Sequence, residues 1–170
     1  MKFAYGSQDS PVMKAAKMAL ETGNANYALI WVPEEMENTL KNLLEKTCCE
    51  RSSGKNMQNR AVDWYFETVC RLHSSNRKMV HNCLKFGGPG ENPIVLMVER
   101  AIEIGNFEEI SCVIPRTHVV DVKQRFQQVM NRKNYPVNTI SAGRAYVSAF
   151  YDFTGYVHSL SSGIPCKGDR

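Results

Sequence analysis

The chain writes one pattern twice, and that repetition limits what it can fold into more than any other feature. Ser10-Pro11-Val12 through Val32-Pro33 aligns without a gap on Asn92-Pro93-Ile94 through Ile114-Pro115. The shared landmarks are Pro11/Pro93, Ala19/Ala101, Leu20/Ile102, Glu21/Glu103, Gly23/Gly105, Asn24/Asn106 and Pro33/Pro115. A segment present twice must suit the same local structure in both places, so each landmark is read from two contexts at once.

The landmarks are helix punctuation. Ser10 and Asn92 are residue types whose side chains accept from the open amides of a helix N-terminus, and Pro follows each at the first helical position, where no amide hydrogen is lost. Gly23 and Gly105 suit the left-handed residue that ends a helix. Between them Val12, Ala15, Ala16, Ala19 and Leu20, and likewise Ile94, Met97, Val98, Ala101 and Ile102, fall at i, i+3, i+4, i+7 and i+8, the apolar face of a helix. After short segments at 26–32 and 107–114, Pro33 and Pro115 open a second helix. Pro33-Glu34-Glu35 makes a favourable first turn, because carboxylates suit the positive end of the helix dipole. Leu40, Leu44 and Cys48 of that helix match Val122, Phe126 and Met130.

A third helix repeats as well, after a small change in spacing that places His73 on His158. Val62, Tyr65, Phe66, Val69, Cys70 and His73 match Val147, Phe150, Tyr151, Thr154, Gly155 and His158, and each set lies on one helical face. Ala61, Trp64 and Leu72 in one copy, and Tyr146, Ala149, Phe153 and Val157 in the other, make the flanks apolar as well, which predicts a central position for both helices.

The expected fold is therefore all-α: two three-helix repeats, at 10–80 and 92–161, packed as a pseudo-two-fold bundle around central helices near 57–74 and 138–160. They are expected to form a single domain over residues 1–163, followed by a flexible tail at 164–170. Gly87-Gly88-Pro89-Gly90, between the repeats, has linker composition and lacks the spacing of a phosphate loop. With 43% apolar and 22% charged residues the chain is a folded globular type, and no apolar run reaches the roughly 18 residues of a membrane span. A net charge of +4, with Lys and Arg spread along the chain, supplies no dense basic patch for nucleic acid. Neither nucleic acid nor a membrane is an expected partner. The opening residues turn polar at Gly6-Ser7-Gln8-Asp9 without a charged-then-apolar leader, so the expected location is the cytoplasm. The six cysteines include no C-x-x-C pair and no Cys/His zinc spacing, and free thiols are expected. Among them, Cys70 and Cys112 read as small core residues, Cys48-Cys49 as a vicinal pair at a helix end, and Cys166 as an exposed tail residue.

On helices this apolar, polar residues select the candidate site, because a buried polar group without a partner costs about 1–3 kcal/mol. They are Asn59, Asp63, Glu67, Arg71 and His73 in the first copy of the third helix, and Arg144, Ser148, Asp152 and His158 in the second. Glu67 and Asp152 are equivalent, as are His73 and His158, and two-fold symmetry would draw such positions toward one axis, where two His and two carboxylates would line a polar pocket. Glu67 and His73 nevertheless stand about 120° apart around their helix, so one helix cannot present both to one small ion. Neither E-x-x-H nor H-E-x-x-H occurs. Two readings stay open. In the structural one each His bonds a backbone carbonyl or carboxylate, while Glu67 and Asp152 pair with Arg71, Arg144 or helix N-termini. In the other these residues form a ligand or metal site. His81 and His118 read as surface residues, and Tyr65, Tyr146 and Tyr151 as core or pocket wall.

Several blocks carry a family resemblance: Asp9-Ser10-Pro11-Val12, Ala19-Leu20-Glu21-Thr22-Gly23-Asn24, Trp31-Val32-Pro33, Phe66-Glu67-Thr68-Val69-Cys70-Arg71-Leu72-His73, Leu84-Lys85, Lys133-Asn134-Tyr135-Pro136-Val137-Asn138 and Ala142-Gly143-Arg144-Ala145-Tyr146-Val147. With them the chain resembles an uncharacterised prokaryotic family, a domain of unknown function, along nearly its whole length. F-E-T-x-x-R-x-H and A-G-R-x-Y-V are the most specific parts. The resemblance implies an all-helical fold and a metal or small-ligand site at the residues matching Glu67 and His73. Typical members begin with His-Cys-Asp shortly before an Asp-Gly-Pro-Val turn, often behind an export signal. Here Ala4-Tyr5-Gly6-Ser7-Gln8 contains neither His nor Cys. In the last helix Gly155 stands where the family has His, and His158 where it has Glu.

The leading expectation is a small-ligand or metal-binding helical protein. Its interior pocket would involve Glu67, His73, Arg144, Tyr151, Asp152 and His158, with Asp9 at the mouth. His73, His158 and Glu67 are the candidate ligands of a divalent metal ion. In an enzyme His would serve as general base, but no reaction is assigned. The rival is a non-catalytic protein-interaction or self-association module, a homodimer for example, with Met13, Met18, Met36, Met57 and Met130 forming an adaptable apolar surface.

Overall fold

Capped helices account for most of the protein. The computed structural model describes residues 10–51, 55–75, 87–88, 90–91 and 93–161. Helix α1 spans Pro11–Thr22, α2 Asn26–Leu29, α3 Glu37–Arg51, α4 Lys55–Ser74, α5 Pro93–Ile104, α6 Glu108–Ser111, α7 Val119–Lys133 and α8 Ile140–Ser161. Single 3-10 turns, Glu34–Met36 and Arg116–His118, lead into α3 and α7. A two-residue antiparallel ladder joins Gly87–Gly88 to Gly90–Glu91. The bounds of α1, α2 and α3 recur in α5, α6 and α7 at one constant offset, the one that places Pro11 on Pro93, and α4 and α8 follow as the long helix of each series. Among the described residues no helix is long and apolar enough to cross a membrane.

Local chemistry sets these bounds. Ser10 holds an extended backbone and its hydroxyl accepts from the Met13 amide at 3.4 Å. Gly23 and Gly105 take φ of 69° and 73°, the left-handed conformation that stops α1 and α5. Beyond Gly105 the Asn106 amide reaches back to the Ala101 carbonyl at 3.0 Å, the longer bond of a Schellman end. The next side chain starts each short helix: Asn24 Oδ1 accepts from the Asn26 amide at 3.0 Å, and Asn106 Oδ1 from the Glu108 amide at 3.1 Å. A basic residue ending the following long helix then satisfies carbonyls left open by the first. Arg51 Nη1 donates to the Leu20 carbonyl at 3.3 Å, and Lys133 Nζ donates to those of Ile102 and Glu103 at 2.7 Å each.

The chain divides into two compact units, Met1–Val80 with Val137–Arg144, and His81–Pro136 with Ala145–Arg170. In the first, α1 packs on α2, α3 and α4, and α3 packs on α4, enclosing Ala16, Ala19, Leu29, Leu40, Tyr65 and Val69. The Tyr65 hydroxyl donates to the Ala16 carbonyl at 3.2 Å, giving a fully buried ring a partner for its polar tip. Asn138 and Arg144 hold the returning segment: Asn138 Oδ1 accepts from Asn24 and Asn26 at 3.5 and 3.2 Å, and Arg144 donates to Glu37 at 2.8 Å. In the second unit α5 packs on α6 and α7 over Val98, Ala101, Ile110, Val122 and Val129. Phe126 joins Phe107 to Phe153, with both ring separations 5.7 Å.

Two sequence expectations are corrected. The long helices α4 and α8 are not enclosed on most of their circumference. Trp64, 52% exposed, Glu67 and Arg71 face solvent on α4, as do Ala145, Ser148 and Asp152 on α8. The Arg71 guanidinium lies 5.6 Å over the Trp64 ring, so the indole is partly shielded by a cation rather than by another helix. Cys112, expected in the core, is exposed, because the turn after α6 directs Ile110 and Ile114 inward and leaves Cys112, midway between them, outside. Cys70 is half-buried, with Sγ 3.3 Å from Met13 Sδ.

Candidate functional site

The first unit separates the sequence candidates. His73, in the last turn of α4, is half-buried with Nδ1 2.8 Å from the Trp31 carbonyl and its ring edge-on to the indole, centroids 6.2 Å apart. A carbonyl oxygen only accepts, so Nδ1 carries the hydrogen. Burial pushes the His73 pKa down, and the bond to Trp31 offsets only part of that, so the ring is neutral at pH 7. Glu67 lies on the exposed face of the same helix, about 120° away. Arg144 is engaged elsewhere: its Nη2 donates to Glu37 Oε1 at 2.8 Å, while Lys41 Nζ meets Oε2 at 3.2 Å. Burial raises the Glu37 pKa, yet the bonds and charges of Lys41 and Arg144 outweigh it and hold the carboxyl below its ordinary range.

In the second unit Asp152 faces a recess. Along α7, Arg125, Gln128 and Arg132 share one stripe at i, i+3 and i+7, and along α8, Ala145, Ser148, Ala149 and Asp152 share another. With Phe153 they line a groove of about 280 Å³, open on one side. The small side chains of α8 leave the space and the long ones of α7 wall it. The contact of Phe126 with Phe153, and the stacking of Tyr135 on Tyr146 at 5.7 Å, run the two helices antiparallel. The Arg132 end of the groove therefore lies toward Ala145, and the Arg125 end toward Asp152.

Both arginines are held in place. The Arg125 guanidinium sits 4.3 Å over the Tyr156 ring, whose hydroxyl is 3.2 Å from His118 Nδ1. Arg132 Nη1 donates to the Gln128 carbonyl at 3.2 Å. Among the described residues Asp152 takes part in no ion pair.

The other candidates stand apart from this groove. His158 is half-buried on α8, about 120° around the helix from Asp152. Tyr151 is buried edge-on against Phe150 at 5.3 Å. Burial, then the neighbouring Tyr135 and Glu99, pushes the Tyr146 hydroxyl up to about 12. His118, expected at the surface, is half-buried against Tyr156. Asp9, His81, Cys83 and Cys166 lie outside the described residues. Among the described residues no group of three His, Cys, Asp or Glu side chains is placed to hold a metal ion.

Sequence reasoning missed Arg125, Gln128 and Arg132 because α7 was read for its apolar face alone. The available signal was a polar stripe at helical spacing followed, one helix later, by a stripe of small residues. Neither the curated proteins nor the solved structures contain a match to this chain. A family model described as "Family of unknown function (DUF6448)" matches residues 9–156. With nearly its whole length covered, landmark blocks included, the chain belongs to that family of unknown function, DUF6448.

Proposed function

We propose that the protein is a small-ligand-binding helical protein and that its site is the groove between α7 and α8. One observation carries this: two anchored guanidinium groups, an amide, a hydroxyl and a carboxylate line one recess of about 280 Å³. That volume lies near the lower end for small-molecule pockets, which suits a compact polar metabolite. Asp152 is the sequence candidate that faces this recess. A divalent ion held by His73, Glu67 and His158 has weaker support, since His73 Nδ1 is engaged by Trp31 and Glu67 faces away.

The same reading takes the chain as an internal duplication in which one copy was specialised. Supporting it are the constant offset between the two sets of helix bounds and the equivalent carbonyl-capping bonds of Arg51 and Lys133. At the first-unit positions equivalent to Ala145 and Ala149 stand Arg60 and Trp64, and those equivalent to Arg125 and Arg132 hold Leu43 and Glu50. Bulk replaces the small floor and the paired guanidinium groups are lost, so the proposal assigns the groove to the second copy.

An interaction module has less on its side. Of the methionines offered for an adaptable surface, Met13 is buried and Met36 and Met130 are half-buried. The exposed large apolar residues, Met18, Trp64, Leu96, Ile104 and Val120, are spread over α1, α4, α5 and α7.

Amide chemical shifts of the full chain, recorded against a panel of small polar metabolites, test the proposal. Changes centred on 125–132 and 145–153 are expected. Changes centred on 67–73, or saturable uptake of a divalent ion by His73 and His158, would overturn it.

A further inference from the structure

We infer that the groove takes a small zwitterion, a molecule carrying an anionic head and an ammonium group a few bonds apart. This rests on the groove being the binding site and names its ligand class. The groove carries charges of both signs. Arg132 stands at the end near Ala145, with Gln128 one turn along α7 toward Asp152, and their guanidinium and amide are able to donate to a carboxylate or phosphate. About 10 Å along α7, one heptad away, Arg125 is drawn over the Tyr156 ring, one turn beyond Asp152 on α8.

This placement decides what the Asp152 carboxylate can accept. Were the Arg125 guanidinium paired with Asp152, the recess would present a neutralised end and favour a simple anion. Held instead on the aromatic face, it leaves the carboxylate with its acceptor capacity, and no other ion pair among the described residues consumes it. An ammonium placed there donates to it. Ser148, one turn before Asp152, offers a hydroxyl between the two ends. Charges of both signs within a recess this small select a ligand carrying both.

The test uses the full chain and five probes: γ-aminobutyrate, phosphoethanolamine, butyrate, butylamine and inorganic phosphate, titrated by amide shifts at 125–132 and 145–153. At least one of the two zwitterions is expected to bind about tenfold or more tighter than the single-charge probes, because each lacks one of the two charge-assisted contacts. Which zwitterion binds better separates a carboxylate head from a phosphate head. Asp152→Asn should erase the preference for the zwitterion over its matched anion, and Arg132→Gln should weaken the zwitterion about tenfold. Shifts at unaltered backbone positions report that each variant is folded. Equal affinity for butyrate or phosphate, unchanged by Asp152→Asn, would overturn the zwitterion inference while leaving the groove as an anion site. Absence of groove shifts with all five probes would overturn it too, and if the wider metabolite panel also leaves the groove silent, the binding site itself is lost.

Discussion

Replacing Gly23 and Gly105 by alanine, one at a time, measures how strongly the helix stops depend on backbone handedness. Both glycines have positive φ, 69° and 73°, where a Cβ crowds the following carbonyl at a cost of roughly 1–2 kcal/mol. Alanine also narrows the unfolded ensemble, which recovers about 0.4–1 kcal/mol and leaves a net loss near 1 kcal/mol at each site. The two positions differ in their surroundings. A Cβ at Gly23 meets nothing within 4 Å, whereas at Gly105 it would stand 3.3 Å from Met130 Cε. That methyl ends a flexible side chain and can retreat, so Gly105→Ala should lose only a few tenths of a kcal/mol more. For a chain of this length 1 kcal/mol corresponds to about 2–4 °C in Tm. Urea unfolding followed through amides of each unit is the appropriate assay, because two compact units need not melt together. Gly23→Ala should lower the midpoint read in the first unit, and Gly105→Ala that read in the second, slightly further. Gly23→Asn should recover part of the loss, since Asn tolerates the left-handed region. Unchanged midpoints in both alanine variants would refute the conformational account of these helix ends.

Three further outcomes are expected. The Thr68 hydroxyl is buried without a hydrogen-bond partner among the described residues, so Thr68→Val, nearly equal in shape, should raise stability by about 1 kcal/mol; a loss in urea unfolding would reveal a partner. His73 binds its proton less readily in the folded chain than at the ordinary value of 6.5, so its contribution is fully present above that value and is lost as pH falls toward the lowered one. Melting between pH 8 and 5 should show this slope, His73→Gln should flatten it, and a ring titration midpoint at or above 6.5 would contradict it. Glu37 has the same sign of linkage in a more acidic window: its depressed pKa adds stability above 4.5 that is lost as pH falls through the lowered value. Arg144→Gln should cost about 1 kcal/mol at pH 7, modest because both side chains keep some exposure, and should move the Glu37 titration upward, as carboxyl chemical shifts would report.

Most of the secondary structure was legible in the chain because it depends on neighbours in sequence. Ser10, Pro11 and Gly23 act on amides and carbonyls within one turn, and the same chemistry at Pro93 and Gly105 produced the same bounds. The candidate site was less legible. In the repeat alignment Asp152 falls on Glu67, and neither carboxylate by itself says which one borders a recess. Their surroundings do: Ala145 and Ala149 accompany Asp152, while Arg60 and Trp64 accompany Glu67. Arg144 was an expected pocket residue, yet it reaches Glu37, a partner far away in the chain.

Helix class, helix ends and the recurrence of both therefore belong to short-range backbone chemistry, which a sequence displays openly. The fate of each polar side chain belongs to packing. His73 is kept neutral by burial and donates to a carbonyl that Trp31 offers at the right height, Arg125 was drawn onto a ring instead of a carboxylate, and Asp152 was left beside a recess because small residues faced long ones across two antiparallel helices. Each of these outcomes requires two segments to meet at a particular rotation, and rotation about a helix axis is set by burial of its apolar stripe against a partner.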